Sequence, residues 1–310
     1  MKLMESESVA AVGIRNILFA TDFSEASEAA LPYVAALGLR YGSTIHVAHV
    51  LPDVLFLRPG APDPAIMGSI YEDAHSTARE KMQRLTDRLQ GFPHRSHIRH
   101  GETCQVISTL IDEEKIDLLV VGTHGRTGLG KLVMGSVAEA ILRQVSCPVL
   151  TVGPNVAASR PEAKRGRDLP PVQISIRHVL YATDLKRESH QAAAFAVSIA
   201  REFRARLALL HVIEDYGDHL HERPGPIEIA LGKLEKLVPE DAGLKYAPDT
   251  LAQFGVPAES ILQTAVEREV DLIVLGVRPA PGIGAATHLG GAVAHKVIVG
   301  AHCPVLTFRS

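Results

Sequence analysis

Apolar residues fall along the chain in two rhythms. In the first, short and mostly apolar runs such as Ile17–Ala20, Thr44–Val50, Ile116–Val121 and Pro148–Val152 are bounded by turn-forming residues. Such runs predict strands buried on both faces, and Ser96–His100 reads as a further short one. In the second, apolar residues recur every three or four positions. Tyr71, Ala74, Ala78, Met82, Leu85 and Leu89 mark one face of a long amphipathic helix, and Val106–Glu114 and Val137–Val145 read as shorter helices. Ser24 is placed to cap the Ala-rich segment after the first strand, and Pro32 within that segment is expected to kink or delay its helix. The proline-rich run Pro52–Pro64 is expected to be a loop. Buried strands separated by helices predict an α/β fold: a doubly wound, mostly parallel sheet with helices on both faces and ligands at the carboxyl ends of its strands.

The pattern is written twice. Asn16–Ser24 (NILFATDFS) returns 162 residues later as His178–Lys186 (HVLYATDLK). At the same spacing Thr44–Val50 returns as Arg206–Val212, with His49 and His211 in equivalent places. Asp117–Gly122 (DLLVVG) returns as Asp271–Gly276 (DLIVLG), and the CPVLT of Cys147–Thr151 as that of Cys303–Thr307. Four matches in one order imply two tandem modules of ordinary domain size, residues 1–153 and 174–310. Residues 154–173 between them are rich in Pro, Ala, Arg and Lys and lack apolar periodicity, which reads as a linker.

Composition narrows the function classes. With 46% hydrophobic and 22% charged residues the 310-residue chain is neither disordered nor collagen-like. A formal charge of −3 gives no electrostatic basis for nonspecific binding to nucleic acid or an anionic membrane. Three scattered cysteines are too few for a disulfide framework or a zinc site. Residues 1–15 carry Glu5 and Glu7 and do not read as a signal peptide, and no run approaches the ~18 apolar residues of a spanning helix. The expectation is a reduced, cytoplasmic protein. Among the fifteen histidines, His94, His97 and His100 recur every third residue, but on a strand that spacing alternates faces, so no metal ligands are assigned.

The chemistry concentrates after the Asp117–Gly122 strand. Two residues separate Gly122 from Gly125, nine separate Gly125 from Gly135, and Ser136 follows at the start of a helix. Glycine lets backbone N–H groups close on a phosphate, and a helix N-terminus adds unpaired donors and a partial positive charge. Arg126 and Lys131 supply full charges and Ser136 a hydroxyl. The segment is neither a Walker A sequence nor the dinucleotide fingerprint.

On these residues the chain resembles the nucleotide-binding branch of the universal stress protein family, whose motif is Gly-x2-Gly-x9-Gly-Ser/Thr. The resemblance implies two tandem five-stranded sheets of the adenine-nucleotide alpha-hydrolase-like fold. It implies ATP (or ADP or AMP) as ligand, with Mg2+ or Mn2+ bridging its phosphates. Ala20, Asp22, Ile45 and Val121 are then expected on the adenosine side. Gly122, Thr123, His124, Gly125 and Arg126 would wrap the phosphates, and Gly135, Ser136 and Val137 would close the loop. For Asp22 an Asx turn or helix cap is the alternative. The second module departs from the motif: Pro279 replaces Gly125, Gly291 and Ala292 stand opposite Gly135 and Ser136, and the interval is two residues longer. Its site is expected to be weakened or lost.

The implied function is an ATP-binding regulatory module of a stress response, acting on an unidentified protein partner. No catalytic residue is assigned, because the loop holds no carboxylate or glutamine to position a water. The rivals are a slow ATP hydrolase or phosphotransferase and a nucleotide-free scaffold. By family analogy the terminal strands of the two modules are expected to pair as an intrachain pseudo-dimer; whether whole chains form a homodimer is left open.

Overall fold

The structure, a computed structural model, describes residues 13–52, 64–123, 134–159, 174–186, 190–214, 225–277 and 292–309. It divides into two compact units, residues 14–174 and 175–310.

In the first unit the elements follow as β1 (Asn16–Ala20), α1 (Glu25–Glu28), α2 (Leu31–Tyr41), β2 (Thr44–Leu51), α3 (Pro64–Asp87), β3 (His94–His100), α4 (Thr103–Glu113), β4 (Leu118–Gly122), α5 (Ser136–Gln144), β5 (Val149–Val152) and α6 (Pro154–Ser159). The strands are all parallel, in the order β3-β2-β1-β4-β5. The winding reverses beside β1, so α2 and α3 cover one face and α4 and α5 the other. The centre of β1, Ile17, Leu18 and Phe19, is wholly buried, as the unbroken apolar run requires.

Local chemistry sets the boundaries. Ser24 caps α1, its Oγ accepting from the Ser27 N–H at 3.2 Å. Pro32 then stands in the first turn of α2, where a missing N–H costs nothing, so the Ala-rich segment is split into two helices. Strand β3 starts at His94, two residues before the expected Ser96. Helix α4 starts at Thr103 because Glu102 caps it, accepting from Cys104 N and Gln105 N at 3.0 and 2.8 Å. Strand β4 begins only after Asp117, whose Oδ2 accepts from the N–H groups of Arg15 and Asn16 at 2.7 and 2.9 Å. The first residues after β5, expected in the linker, are helical as α6.

The second unit contains β6 (His178–Ala182), α7 (His190–Phe203), β7 (Arg206–Ile213), α8 (Gly225–Glu235), β8 (Asp249–Phe254), α9 (Pro257–Glu267), β9 (Leu272–Val277), α10 (Ala292–Gly300) and β10 (Val305–Arg309). Its parallel order, β8-β7-β6-β9-β10, repeats that of the first unit. The repetition reaches single hydrogen bonds. Asp271 Oδ2 accepts from the N–H groups of Arg177 and His178 as Asp117 does from Arg15 and Asn16. One device is kept with its charges exchanged. Arg95 on β3 pairs with Glu114 at the end of α4, and at the equivalent places Asp249 on β8 pairs with Arg268 at the end of α9.

Candidate functional site

The turn leaving β1 is held by its own side chains. Thr21 Oγ1 accepts from Phe23 N at 2.9 Å and shares a hydrogen bond of 2.9 Å with Ser27 Oγ. Asp22 Oδ1 accepts from Ser24 N at 2.9 Å, an Asx turn, and Phe23 takes φ +60°. From the neighbouring strand β2, buried His49 donates Nδ1–H to the Thr21 carbonyl at 2.8 Å and sets its ring 4.4 Å from that of Phe23. The carbonyl can only accept, so Nδ1 carries a proton. Asp22 is thereby presented half-buried at the carboxyl end of β1.

At the end of β4, a Cβ on Gly122 would lie 2.8 Å from both the Ala26 carbonyl oxygen and the Ser27 Cα, so glycine is what lets α1 pack there. Thr123 is 1% exposed; its N–H donates to the Val152 carbonyl at 3.1 Å, which anchors Thr123 to β5. The returning chain is tied to the same point, since Gly135 N–H donates to the Thr123 carbonyl at 2.8 Å. Gly135 is the N-cap of α5 and has no side chain to bond its first turn, so the N–H groups of Ser136, Val137 and Ala138 carry the partial positive charge of the helix.

Between these two structures lies a cavity of about 620 Å³ at the point where the sheet order reverses. Eight of the expected residues line it together: Ala20, Asp22, Val121, Gly122, Thr123, Gly135, Ser136 and Val137. His124, Gly125 and Arg126 lie outside the described residues, as does Lys131. Ile45 is elsewhere. It pairs with Ile17 at the start of the strands, and its Cδ1 is 3.1 Å from where a Cβ on Gly38 of α2 would be. The part of β2 that reaches the cavity is Ala48–Leu51, because Ala48 is the register partner of Ala20.

The sequence reading also missed the far walls. Asp73, Ala74, Thr77, Ala78 and Lys81 of α3 face the cavity, with Thr103 and Ile107 of α4. Ala74 and Ala78 were visible on the apolar stripe of α3, and their small size was the available signal. Among the described residues the walls combine apolar surface with two carboxylates, Asp22 and Asp73, and one ammonium, Lys81.

The second unit rebuilds the turn. Thr183 Oγ1 accepts from Leu185 N, Asp184 Oδ1 from Lys186 N, Leu185 takes φ +58°, and His211 donates Nδ1–H to the Thr183 carbonyl at 2.8 Å. Residues 278–291, with Pro279 and Gly291, lie outside the described residues. No helix among the described residues is long and apolar enough to cross a membrane.

A family model described as the universal stress protein family matches residues 13–153 and 175–309. Among curated relatives, the chain is similar to a universal stress protein of Thermus aquaticus encoded in the QAH/OAS sulfhydrylase 3′ region. The two are 38% identical over 136 residues, which span 42% of this chain and 97% of that protein. It is 32% identical over 138 residues to universal stress protein A homolog 1 of Coxiella burnetii, spanning 44% of this chain and 95% of that one. Among solved structures, a universal stress protein from Archaeoglobus fulgidus aligns with a TM-score of 0.69 at 20% identity, over 97% of this chain and 98% of that chain. That likeness shows the fold alone.

Proposed function

Since the chain belongs to the universal stress protein family, we propose that its first unit binds an adenine nucleotide in the cavity between β1 and β4 and acts as a nucleotide-dependent regulatory module. One observation carries this reading: Thr123 and Gly135, either side of the Gly-x2-Gly-x9-Gly-Ser segment's middle, are hydrogen-bonded to each other, and the N-terminus of α5 that follows stands in the cavity wall with glycine as its N-cap. Such an end favours phosphate. Apolar Val50, Val121 and Ile107 offer contact to a base, and the Asp22 carboxylate offers an acceptor to a ribose or adenine.

A divalent cation fits this wall only as a guest of the phosphates. The described lining holds two carboxylates, Asp22 and Asp73, and no cage of oxygen ligands, so Mg2+ or Mn2+ would be held by phosphate oxygens and water. Nucleotide bound at Ser136 and Val137 would alter the affinity of a protein partner, because a ligand shifts only an equilibrium whose states it binds differently.

Purified chain, denatured and analysed for nucleotide, is expected to release an adenine nucleotide, and stripped chain to bind Mg-ATP saturably. Gly135→Asp places a carboxylate at the head of α5 and is expected to weaken binding by at least about tenfold, the equivalent of ~1.4 kcal/mol of like-charge repulsion. Undiminished affinity in that variant refutes the placement. Multiple-turnover phosphate release would favour the hydrolase instead.

A further inference from the structure

A second cluster of side chains lies apart from the cavity, on the face of the first sheet that α4 covers. His46 on β2 and His97 on β3 project from that face, and Glu114 follows the last turn of α4. Nδ1 of His46 is 3.2 Å from Nε2 of His97 and 3.7 Å from Oε2 of Glu114, and the three ligand atoms all lie within 4.8 Å of one another. Among the described residues this is the one grouping of three histidine, cysteine or carboxylate ligands so arranged. Zinc bound tetrahedrally at 2.0–2.1 Å from nitrogen needs ligand atoms about 3.3 Å apart. The two imidazoles already stand at that separation.

The framework does not demand these residues. In the second unit the same three places hold Ala208, Leu251 and Arg268. There the strand-to-helix ion pair, Asp249 with Arg268, is complete without imidazoles. In the first unit two histidines have been added beneath it, one of them 1% exposed. Among the described residues His46 Nε2 is buried without a hydrogen-bond partner, and the contacts of that ring to His97 and Glu114 both run through Nδ1. The end of α4 contributes the negative pole of its dipole. Against the site stand Arg95, 3.0 Å from Glu114 Oε2, and Arg99, which pairs with Glu113. The Arg95 side chain is 65% exposed and can turn to water.

We propose that His46, His97 and Glu114 bind a divalent transition-metal ion of the zinc class, with water completing its coordination. The ion would join β2, β3 and α4, and so brace the cavity wall formed by Thr103 and Ile107.

The test is calorimetric titration of the metal-free full-length chain with ZnCl2, paired with CoCl2 titration followed by the visible bands of four-coordinate cobalt. One ion per chain is expected. His97→Ala and Glu114→Gln should each weaken it at least about tenfold, the lower bound for losing even an outer-shell partner. His94→Ala, on the other face of the same strand, should bind as the parent does. Circular dichroism identifies a variant that fails to fold, and Glu114→Gln is then decisive because it keeps the shape of the side chain. Absence of saturable Zn2+ binding, or binding undiminished in His97→Ala or Glu114→Gln, overturns the proposal.

Discussion

Replacing Gly122 by alanine tests the packing that brings β4 and α1 together. The added Cβ would sit 2.8 Å from the Ala26 carbonyl oxygen and from the Ser27 Cα, and 3.0 Å from the Ser27 nitrogen. These are backbone atoms, and real Cβ contacts below 3.0 Å essentially never occur. The glycine does not take a positive φ, so the cost is steric. To relieve it α1 must move, and α1 carries Ser27, whose Oγ holds Thr21 and through it the turn that presents Asp22. Overpacking of this kind costs ~1–3 kcal/mol, which is a fall in Tm of about 2–4 °C per kcal/mol for a domain of this size. Urea and thermal melts of the variant measure it. Gly68→Ala supplies the control. Among the described residues nothing lies within 4 Å of its added methyl and the residue is helical, so the same change should stabilise by ~0.5–1 kcal/mol. If Gly122→Ala melts within ~0.5 kcal/mol of the parent, as neutral surface changes do, the assigned packing is wrong.

Asp117→Ala strips two backbone donors of their acceptor and is expected to cost ~1–3 kcal/mol, read from the urea midpoint. The cysteines should be inert in the folded chain. Burial pushes the thiols of Cys147 and Cys303 up to about 12 and that of Cys104 up to about 11, so iodoacetamide at mildly alkaline pH should label them only after denaturation. Burial also lowers both His46 and His97, opposed at each by Glu114; His97 and Arg95 lower His46 further, and Arg99 and Arg95 lower His97, which Glu113 raises. Below the ordinary histidine value of 6.5 the unfolded chain takes up protons that the folded chain refuses. Their contribution to stability is therefore full above that pH and lost as pH falls through the lower folded values. In metal-free protein, His46→Ala/His97→Leu, which installs the residue types of the second unit, should flatten that part of the stability-pH curve. An unchanged slope would refute the assignment.

The sequence alone determined what depends on neighbours along the chain. Periodicity separated strands from helices because side chains repeat every two residues in one and every 3.6 in the other. Ser24 as a cap, Pro32 as an interruption and the doubled framework were legible for the same local reason. The position of the Gly122–Gly135 segment at the carboxyl end of a strand followed from the α/β alternation. The tertiary structure decided whatever depends on register and on the approach of distant elements. Ile45 and Ala48 are three residues apart on one strand, yet pairing with Ile17 and Ala20 sends the first to α2 and the second to the cavity. Gly122 reads as a phosphate-loop glycine, but the contact that excludes a side chain there comes from α1. The three-residue spacing of His94, His97 and His100 correctly implied divergence along their own strand. It could not reveal His46, because the hydrogen-bonded ladder between β2 and β3 and the crossing of α4 bring together residues far apart in the chain.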